Sequence, residues 1–228
     1  AEAQKGAKKT AAEKPAKKTG GDDKKAEDKP AKKTGGDEKK AEEKPAKKTE
    51  KKPAKATAPT NDKVDVSRLE LRVGKIVKCE KHPDAEKLYL EQIDLGEATG
   101  PRQIVSGLVD FVPLDQMQDR LVVVLCNLKP AKLKGILSSG MVVAASNEDH
   151  TKVEILDPPK DAKVGERVFV EGFPGDHDKE LNPKKKIWDE IKPDMQTNAK
   201  CEGVYKGVPL STSAGVCTVS TLANSHLG

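Results

Sequence analysis

The first 63 residues contain no valine, isoleucine, leucine, methionine, phenylalanine, tryptophan, tyrosine or cysteine. Without these side chains the segment cannot bury enough apolar surface to offset the entropy lost on folding. It also lacks arginine, and its charge comes from 20 lysines against 12 acidic residues. The letters KPAKKT recur at a 15-residue period, beginning at Lys14, Lys29 and Lys44. We therefore predict a disordered, lysine-rich tail over residues 1–63, which is either a loose tether for polyanions or a solubilising linker.

Cysteines and long apolar runs are scarce in the rest of the chain. The four cysteines are scattered, with no Cys-x-x-Cys pair, which indicates reduced, mostly buried thiols in a cytoplasmic protein rather than a disulfide framework. No run of about 18 apolar residues is present, so we expect no membrane span. The sequence shows no apolar core of a signal peptide near its first residue.

Motifs for catalysis are also missing. The sequence has neither a G-x-G-x-x-G nor a G-x-x-x-x-G-K-[ST] loop. Its four histidines are not spaced with cysteines or carboxylates as metal ligands usually are. We therefore predict a non-enzyme without metal or cofactor, although a longer chain containing this sequence could be a synthetase.

Residues 64–228 carry 22 basic and 25 acidic residues, so any basic surface there must be a local patch. The strongest candidate lies in the stretch LVVVLCNLKPAKLKGILSSGMVVAAS, residues 121–146. Two apolar segments flank a polar loop that holds Lys129, Lys132 and Lys134. Lysines fixed between two strands would bind an anion without the ordering cost of a flexible tail. An ordinary solvated hairpin loop remains the alternative interpretation.

The apolar pattern predicts five short strands with one helical turn between the third and the fourth. Alternation through Leu69, Leu71 and Val73 predicts the first strand, and Gly74 within it predicts a bulge or bend. In the second strand we expect Leu88, Leu90 and Ile93 to face inward. This arrangement is typical of an OB-fold barrel. After the first strand, the predicted strands are 88–95, 102–108, 121–128 and 141–145, within a domain of residues 64–170 that also holds strands at 152–156 and 166–170.

Residues 171–228 are predicted to form a small α+β extension that packs on the barrel. Asn182 followed by Pro183 is typical of a helix start, and Pro193 would end that helix. Short strands are expected at 201–210 and 215–221. The fold class is therefore all-β dominated: an OB-fold five-stranded barrel with a C-terminal extension, preceded by the disordered tail.

Several segments resemble the tRNA-binding domain of the endothelial-monocyte-activating polypeptide II family. They are VSRLELRVGKIV (66–77), KHPDAEKLYLEQIDLGE (81–97), IVSGLVDFVPLDQM (104–117), LCNLKPAKLKGILSSGM (125–141), FPGDHDKELNPKKKIWDEI (173–191) and YKGVPL (205–210). The resemblance covers residues 66–228 and none of the tail. It implies an OB barrel with an extension that replaces a dimer partner, and hence a monomer. It also implies binding of folded tRNA with little sequence preference, no catalysis, and an aminoacyl-tRNA synthetase or multi-synthetase complex as partner.

The residue composition agrees with folded RNA as the ligand. Six aromatic side chains in the whole chain leave few for the base-stacking platform that single strands need. Lysine, serine and asparagine suit the phosphates and 2′-hydroxyl groups of structured RNA. We expect the contact surface to comprise Arg72, Lys75, Lys78, Ser106, Asn127, Lys129, Lys132, Lys134, Ser138 and Met141, although a methionine is more often a core residue.

Two other function classes remain open. By the same resemblance, the segment RVGKIVK (72–78) lies where mammalian relatives carry a cytokine-active segment. A released signalling polypeptide is therefore one alternative. A general polyanion-binding protein that acts through its lysine-rich tail is the other.

Overall fold

The computed structural model describes residues 63–228, so the predicted disordered tail lies outside the described residues except for Lys63. The described part is mostly β, with curled sheets and two short helices. In chain order the strands are β1 (Leu71–His82), β2 (Ala85–Asp94), β3 (Arg102–Ser106), β4 (Leu121–Leu125), β5 (Ala131–Leu133), β6 (Ile136–Ser138), β7 (Met141–Val142), β8 (Ala144–Ser146), β9 (Val153–Ile155), β10 (Phe169–Val170), β11 (Met195–Thr197), β12 (Gly203–Tyr205), β13 (Val208–Thr212), β14 (Gly215–Val216) and β15 (His226–Leu227). The helices are α1 (Leu114–Met117) and α2 (Ile187–Ile191), and 3₁₀ turns span Val66–Arg68, Pro183–Lys185 and Lys192–Asp194.

The first sheet has five antiparallel strands in the order β3-β2-β1-β4-β7. It curls until its two edges meet, because residues next to β7 bond to β3 at the other edge. The Ser139 amide donates to the Gln103 carbonyl at 2.9 Å, and the Val105 amide donates to the Ser138 hydroxyl at 3.0 Å. The predicted helical turn, α1, lies between β3 and β4 as expected.

Strand β4 separates two apolar cores. Val122 and Val124 face the inside of the curled sheet, where they join Ile76, Ile93 and other side chains. Val123 and Leu125 face the opposite way and form a second core with side chains of the C-terminal region. Both faces of β4 are buried, which explains why its sequence is a continuous apolar run rather than an alternating one.

Of the bulge or bend predicted at Gly74, the bulge is absent. Strand β1 pairs without interruption through Gly74, which lies opposite Val122, and its register shifts at Val77 instead. Val77 is correspondingly exposed. Gly74 is required for close packing, because a Cβ there would lie 2.6 Å from Cγ2 of Ile93.

The predicted inward face of the second strand was also wrong for two of its three residues. Tyr89, Glu91 and Ile93 are buried, whereas Leu88 and Leu90 are only half-buried on the other face. Since strand side chains alternate, burying Ile93 sends both leucines outward. The Tyr89 hydroxyl donates to the Val112 carbonyl at 2.9 Å, which satisfies its polar end inside the core.

The predicted fifth strand, 141–145, is divided at Val143. Strand β7 pairs with β4 in the first sheet, whereas β8 pairs with β9 and β15 in a second sheet. That sheet runs in the order β10-β13-β12-β11-β15-β8-β9, with β14 paired to β13. One stretch of chain thus passes directly from the first sheet into the second. The predicted domain boundary at residue 170 falls at the end of β10, a strand that pairs with β13 of the C-terminal region.

The predicted C-terminal helix is divided, because Lys186 adopts a left-handed conformation between the turn that Asn182 caps and the α-helix itself, which starts at Ile187. The Asn182 side chain accepts from the Lys184 amide at 3.0 Å and caps the 3₁₀ turn that begins at Pro183. Helix α2 follows, and a 3₁₀ turn containing Pro193 ends the helical stretch. Ile187 and Ile191 are buried against the second core, and Trp188 packs partly on it.

Candidate nucleic-acid interface

The predicted polar loop between β4 and β7 is a two-stranded hairpin, β5–β6. Its turn consists of Lys134 and Gly135, with φ of 46° and 87° respectively. Two residues with positive φ are typical of a type I′ turn, whose twist matches that of the flanking strands. Lysine is an unusual residue at such a position, where asparagine or glycine is preferred. The fold alone therefore does not account for lysine at residue 134.

Hydrogen bonds fix the hairpin to the edge of the first sheet. The Ser138 hydroxyl accepts from the Val105 amide and donates to the Gly140 carbonyl, both at 3.0 Å. The Gln103 side-chain amide donates to the Leu137 carbonyl at 2.8 Å. Ser138 is buried, so its role in the structure is to hold the hairpin rather than to meet a ligand.

The lysines of this hairpin region are exposed and unpaired. Lys129, Lys132 and Lys134 are all exposed, and none forms an ion pair with any residue of the part that the structure describes. Three ammonium groups within six residues thus lie on or next to a fixed hairpin without an internal counter-charge. We call Lys129, Lys132 and Lys134 the hairpin lysines.

The other predicted cations differ from the hairpin lysines because each has an acidic partner. Arg72 lies 2.5 Å from a Glu70 carboxylate oxygen, Lys75 lies 3.0 Å from one of Asp119, and Lys78 lies 2.9 Å from one of Glu80. Arg72 pairs with Val124 near the end of β4 that leads to the hairpin, whereas Lys75 pairs with Leu121 at the other end. Lys75 and Lys78 therefore lie progressively farther along β1 from the hairpin.

Asn127 connects the end of β4 to the C-terminal region. Its side-chain amide donates to the carbonyls of Arg68 at 2.9 Å and Asp178 at 2.8 Å. Its side-chain oxygen accepts from the Glu70 amide at 3.1 Å. The residue is 2% exposed, so its polar groups position the chain that leads to Lys129. Met141, also a predicted contact, is half-buried and packs on the second core.

Ser106 lies at the end of β3, one residue after the Val105 amide that binds Ser138. Its hydroxyl donates to Glu91, whose carboxyl group is fully buried inside the curled sheet. The second carboxyl oxygen of Glu91 has no hydrogen-bond partner among the described residues. Burial raises the pKa of Glu91 to about 7, although the bond from Ser106 acts in the opposite direction.

Sequence reasoning missed an ion network at the base of the hairpin. The Arg102 guanidinium binds both carboxylate oxygens of Glu97, at 2.7 and 2.5 Å, and also donates to the carbonyls of Cys126 at 2.7 Å and Ser139 at 3.3 Å. The hydrogen bond from Arg102 lowers the pKa of Glu97. A lone arginine after a Gly-Pro pair carries no sequence signal for this role, because its partners come from three separate segments.

Few aromatic side chains are available for base stacking. Tyr89 and Tyr205 are buried, and Phe111, Phe173 and Trp188 pack partly on the two cores. Phe169, on β10 of the second sheet, is the exposed one, at 49%. The surface at the hairpin is thus suited to phosphates and hydroxyl groups rather than to stacked single-stranded bases.

The four cysteines of the chain lie within the described residues and are mostly buried. Cys79, Cys126 and Cys217 are buried and Cys201 is half-buried, and all four are free thiols. Burial raises the pKa of each of the three buried thiols to about 12.

Within residues 63–228 no group of three histidine, cysteine or acidic side chains could hold a metal ion. None of the helices in this range is long and apolar enough to cross a bilayer.

The described residues thus form a curled β-sheet that carries a fixed hairpin with exposed lysines next to it. Residues 71–167 match the family model described as "Putative tRNA binding domain". The chain belongs to the tRNA-binding domain family of the endothelial-monocyte-activating polypeptide II type.

Similar proteins carry this domain in different contexts. The chain is 56% identical over 180 residues to aminoacyl tRNA synthase complex-interacting multifunctional protein 1 of Cricetulus griseus, covering 78% of this chain and 49% of that protein. It is 50% identical to a probable methionine–tRNA ligase of Oryza sativa, covering 78% of this chain and 22% of the ligase. The chain thus spans about half the length of the first of these curated relatives.

A solved structure shows the same fold. The crystal structure of the C-terminal domain of Plasmodium vivax p43 is 32% identical and superposes with a TM-score of 0.68. The match covers 73% of this chain and 100% of that domain.

Proposed function

We propose that this chain captures folded tRNA with little sequence preference and assists an aminoacyl-tRNA synthetase, either in trans or as an appended domain. The hairpin lysines carry the proposal, because three exposed, unpaired cations on an anchored hairpin have no role in the fold itself. The relatives named as a synthetase-complex protein and as tRNA ligases support the choice of tRNA and of a synthetase partner. The chain itself then contributes binding rather than catalysis, as a cytoplasmic monomer.

The proposed binding scaffold is an OB-fold barrel. The strand order β3-β2-β1-β4-β7, the meeting of the sheet edges and the helix between β3 and β4 are in accord with that fold. In OB folds the loop between the last two strands often contacts nucleic acid, and the β5–β6 hairpin occupies that loop. We place residues 64–170 in the barrel domain and 171–228 in the extension, with the tail of residues 1–63 as an auxiliary electrostatic contact.

The proposed contact surface centres on Lys129, Lys132 and Lys134. Arg72 and Ser106 flank it, since Arg72 adjoins the Glu97–Arg102 network and Ser106 follows the residue that binds Ser138. Lys75 and Lys78 extend the surface along β1, where an RNA phosphate would have to compete with Asp119 and Glu80. Asn127, Ser138 and Met141 act by holding the surface in place. No described feature favours the signalling alternative.

The test is replacement of all three hairpin lysines by alanine in the full chain, with tRNA binding measured by filter retention over a salt series. Binding constants fall with salt concentration, and each lost phosphate contact makes the slope of log K against log salt concentration less steep by about 0.7 to 0.9. The triple variant should therefore have a slope that is smaller in magnitude by roughly 2 to 3. Affinity should fall at least about tenfold at 100 mM salt. Alanine at the exposed residues Lys160, Lys163 and Lys200 removes the same charge elsewhere on the described surface and is the matched control.

Lys134 allows a cleaner single substitution. Asparagine is favoured where φ is positive, so Lys134→Asn should keep or stabilise the turn while it removes one charge. We expect weaker tRNA binding together with an unchanged or raised melting temperature. Unchanged binding by the triple alanine variant would show that the surface lies elsewhere.

A further inference from the structure

A second cluster of cations lies on the C-terminal extension. Lys184, Lys185 and Lys186 are consecutive and exposed, between the Asn182 cap and the buried Ile187. None of the three forms an ion pair within residues 63–228. We call them the extension lysines.

The Asn127 contacts join the chain just before this cluster to the end of β4 that leads to the hairpin. The Leu181 amide donates to the Asn127 carbonyl at 2.7 Å, and the Asn127 side chain donates to the Asp178 carbonyl at 2.8 Å. Lys129 follows Asn127 by two residues, and Lys184 follows Leu181 by three. An extended chain spans at most about 3.6 Å per residue, so the Cα atoms of Lys129 and Lys184 lie within roughly 25 Å of each other.

The local fold does not require lysine at these positions. Lys186 has a φ of 48°, a conformation that asparagine or glycine adopts more easily. The same feature occurs at Lys134 in the hairpin turn. Residues 64–228 as a whole carry more acidic than basic residues, so three adjacent cations without an internal anion are a local exception to the charge of the domain.

We propose that the extension lysines form a second contact with the phosphate backbone of the same RNA that the hairpin lysines bind. This inference rests on the proposed function. The extension then has two roles: it buries the outer face of β4, and it widens the cationic surface beyond the curled sheet. An RNA that contacts both clusters must be long and rigid enough to reach from one to the other, which favours a folded molecule over a short single strand.

The test compares four variants of the full chain, with an unmodified tRNA transcript as the probe and a series of monovalent salt concentrations. The extension variant is Lys184→Gln, Lys185→Gln and Lys186→Asn, in which asparagine suits the positive φ of residue 186. The second variant replaces the hairpin lysines by alanine, and the third combines both sets. The fourth replaces the extension lysines by arginine, which keeps the charge.

The extension variant is expected to bind the transcript at least about fivefold more weakly at 100 mM salt, with a salt slope lower by about 2. The combined variant should lose roughly the sum of both slope changes, and the arginine variant should bind nearly as the wild type does. Thermal unfolding by circular dichroism should be unchanged in the extension variant.

The inference fails if the extension variant binds within twofold of the wild type while the hairpin variant is weakened. If neither variant is weakened, the proposed function loses its binding surface as well. A loss of the same size after alanine replacement of Lys160, Lys163 and Lys200 would also overturn the inference, because the effect would then reflect net charge alone.

Discussion

Glu91 should make this fold less stable as the pH rises from about 4.5 to about 7. Its carboxyl group is fully buried, one oxygen has no partner among the described residues, and burial raises its pKa to about 7 from 4.5. Between these two values the folded state holds a proton that the unfolded chain has released, so stability falls with pH. A difference of 2.5 pKa units corresponds to roughly 3 kcal/mol, which is lost progressively between about pH 4.5 and pH 7.

The substitution Glu91→Gln removes this titration. The carbonyl of the introduced glutamine can still accept from Ser106, but the side-chain amide leaves a buried donor that costs about 1 to 3 kcal/mol at every pH. The free energy of unfolding, measured in urea from pH 4.5 to 8.5, should therefore fall with pH in the wild type and much less in the variant. The difference between the two curves isolates Glu91 from other groups that titrate in this range.

Glu86→Gln is the matched control, since Glu86 is an exposed carboxylate on the same strand. It should leave the pH dependence of the wild type unchanged. Parallel curves for the wild type and Glu91→Gln would refute the account of a buried carboxyl group whose pKa is raised in the folded state.

Three further substitutions test the packing described above. Gly74→Ala should lower the free energy of unfolding by about 1 to 3 kcal/mol in urea titrations, because its Cβ would lie 2.6 Å from Ile93; a neutral effect would mean that this contact relaxes freely. Asn127→Ala should cost about 1 to 3 kcal/mol, since it leaves the buried Glu70 amide without its acceptor and removes the bonds to the Arg68 and Asp178 carbonyls. The carbonyls keep their contacts with the Asp178 amide and the His177 ring. A loss below about 0.5 kcal/mol, on the order of a surface substitution, would contradict that role. Burial opposes ionisation of Glu154, yet hydrogen bonds from Thr221 and its neighbour outweigh burial and lower its pKa to about 2. Glu154→Gln should therefore destabilise the protein by about 2 kcal/mol at pH 7 in thermal or urea unfolding, with the difference shrinking as the pH falls below 4.5 toward 2; a constant difference would contradict this assignment.

The strands were predictable because apolar periodicity reports burial directly. The segments predicted around β1 to β4, the helical turn α1 and the Asn182 cap all correspond to observed elements. Strand β4 was the clearest case, since LVVVL has two buried faces and therefore no polar positions.

The errors arose at residues whose surroundings are set by a contact with a residue distant in the sequence. Gly74 suggested a bulge, but its real constraint is the side chain of Ile93 on the next strand. The inward face of β2 was misassigned because the face that is buried carries a glutamate, Glu91, whereas the apolar pattern favoured the face with Leu88 and Leu90. A charged residue inside a core depends on a partner, here Ser106, that periodicity does not reveal.

The hairpin was predictable as a region, whereas the surroundings of its individual side chains were not, and the binding site itself stays a prediction. The lysine cluster between two apolar strands identified the hairpin, and the structure brings its lysines together as exposed, unpaired groups. Exposure of Asn127 and Ser138 could not be read from the sequence, since their burial depends on Asp178 and Val105 far along the chain. The tail of residues 1–63 and the domain boundary at residue 170 stay predictions.

The central claim is that a rigid basic surface recognises the shape of a folded RNA. The most direct measurement compares the affinity of residues 64–228 and of the full chain for the same tRNA in its folded and its unfolded form, at one salt concentration. We predict that residues 64–228 bind the folded form at least about tenfold more tightly, the difference that 1.4 kcal/mol produces. Equal affinity for the two forms, with binding lost when the tail is removed, would contradict the account and make the tail the binding element.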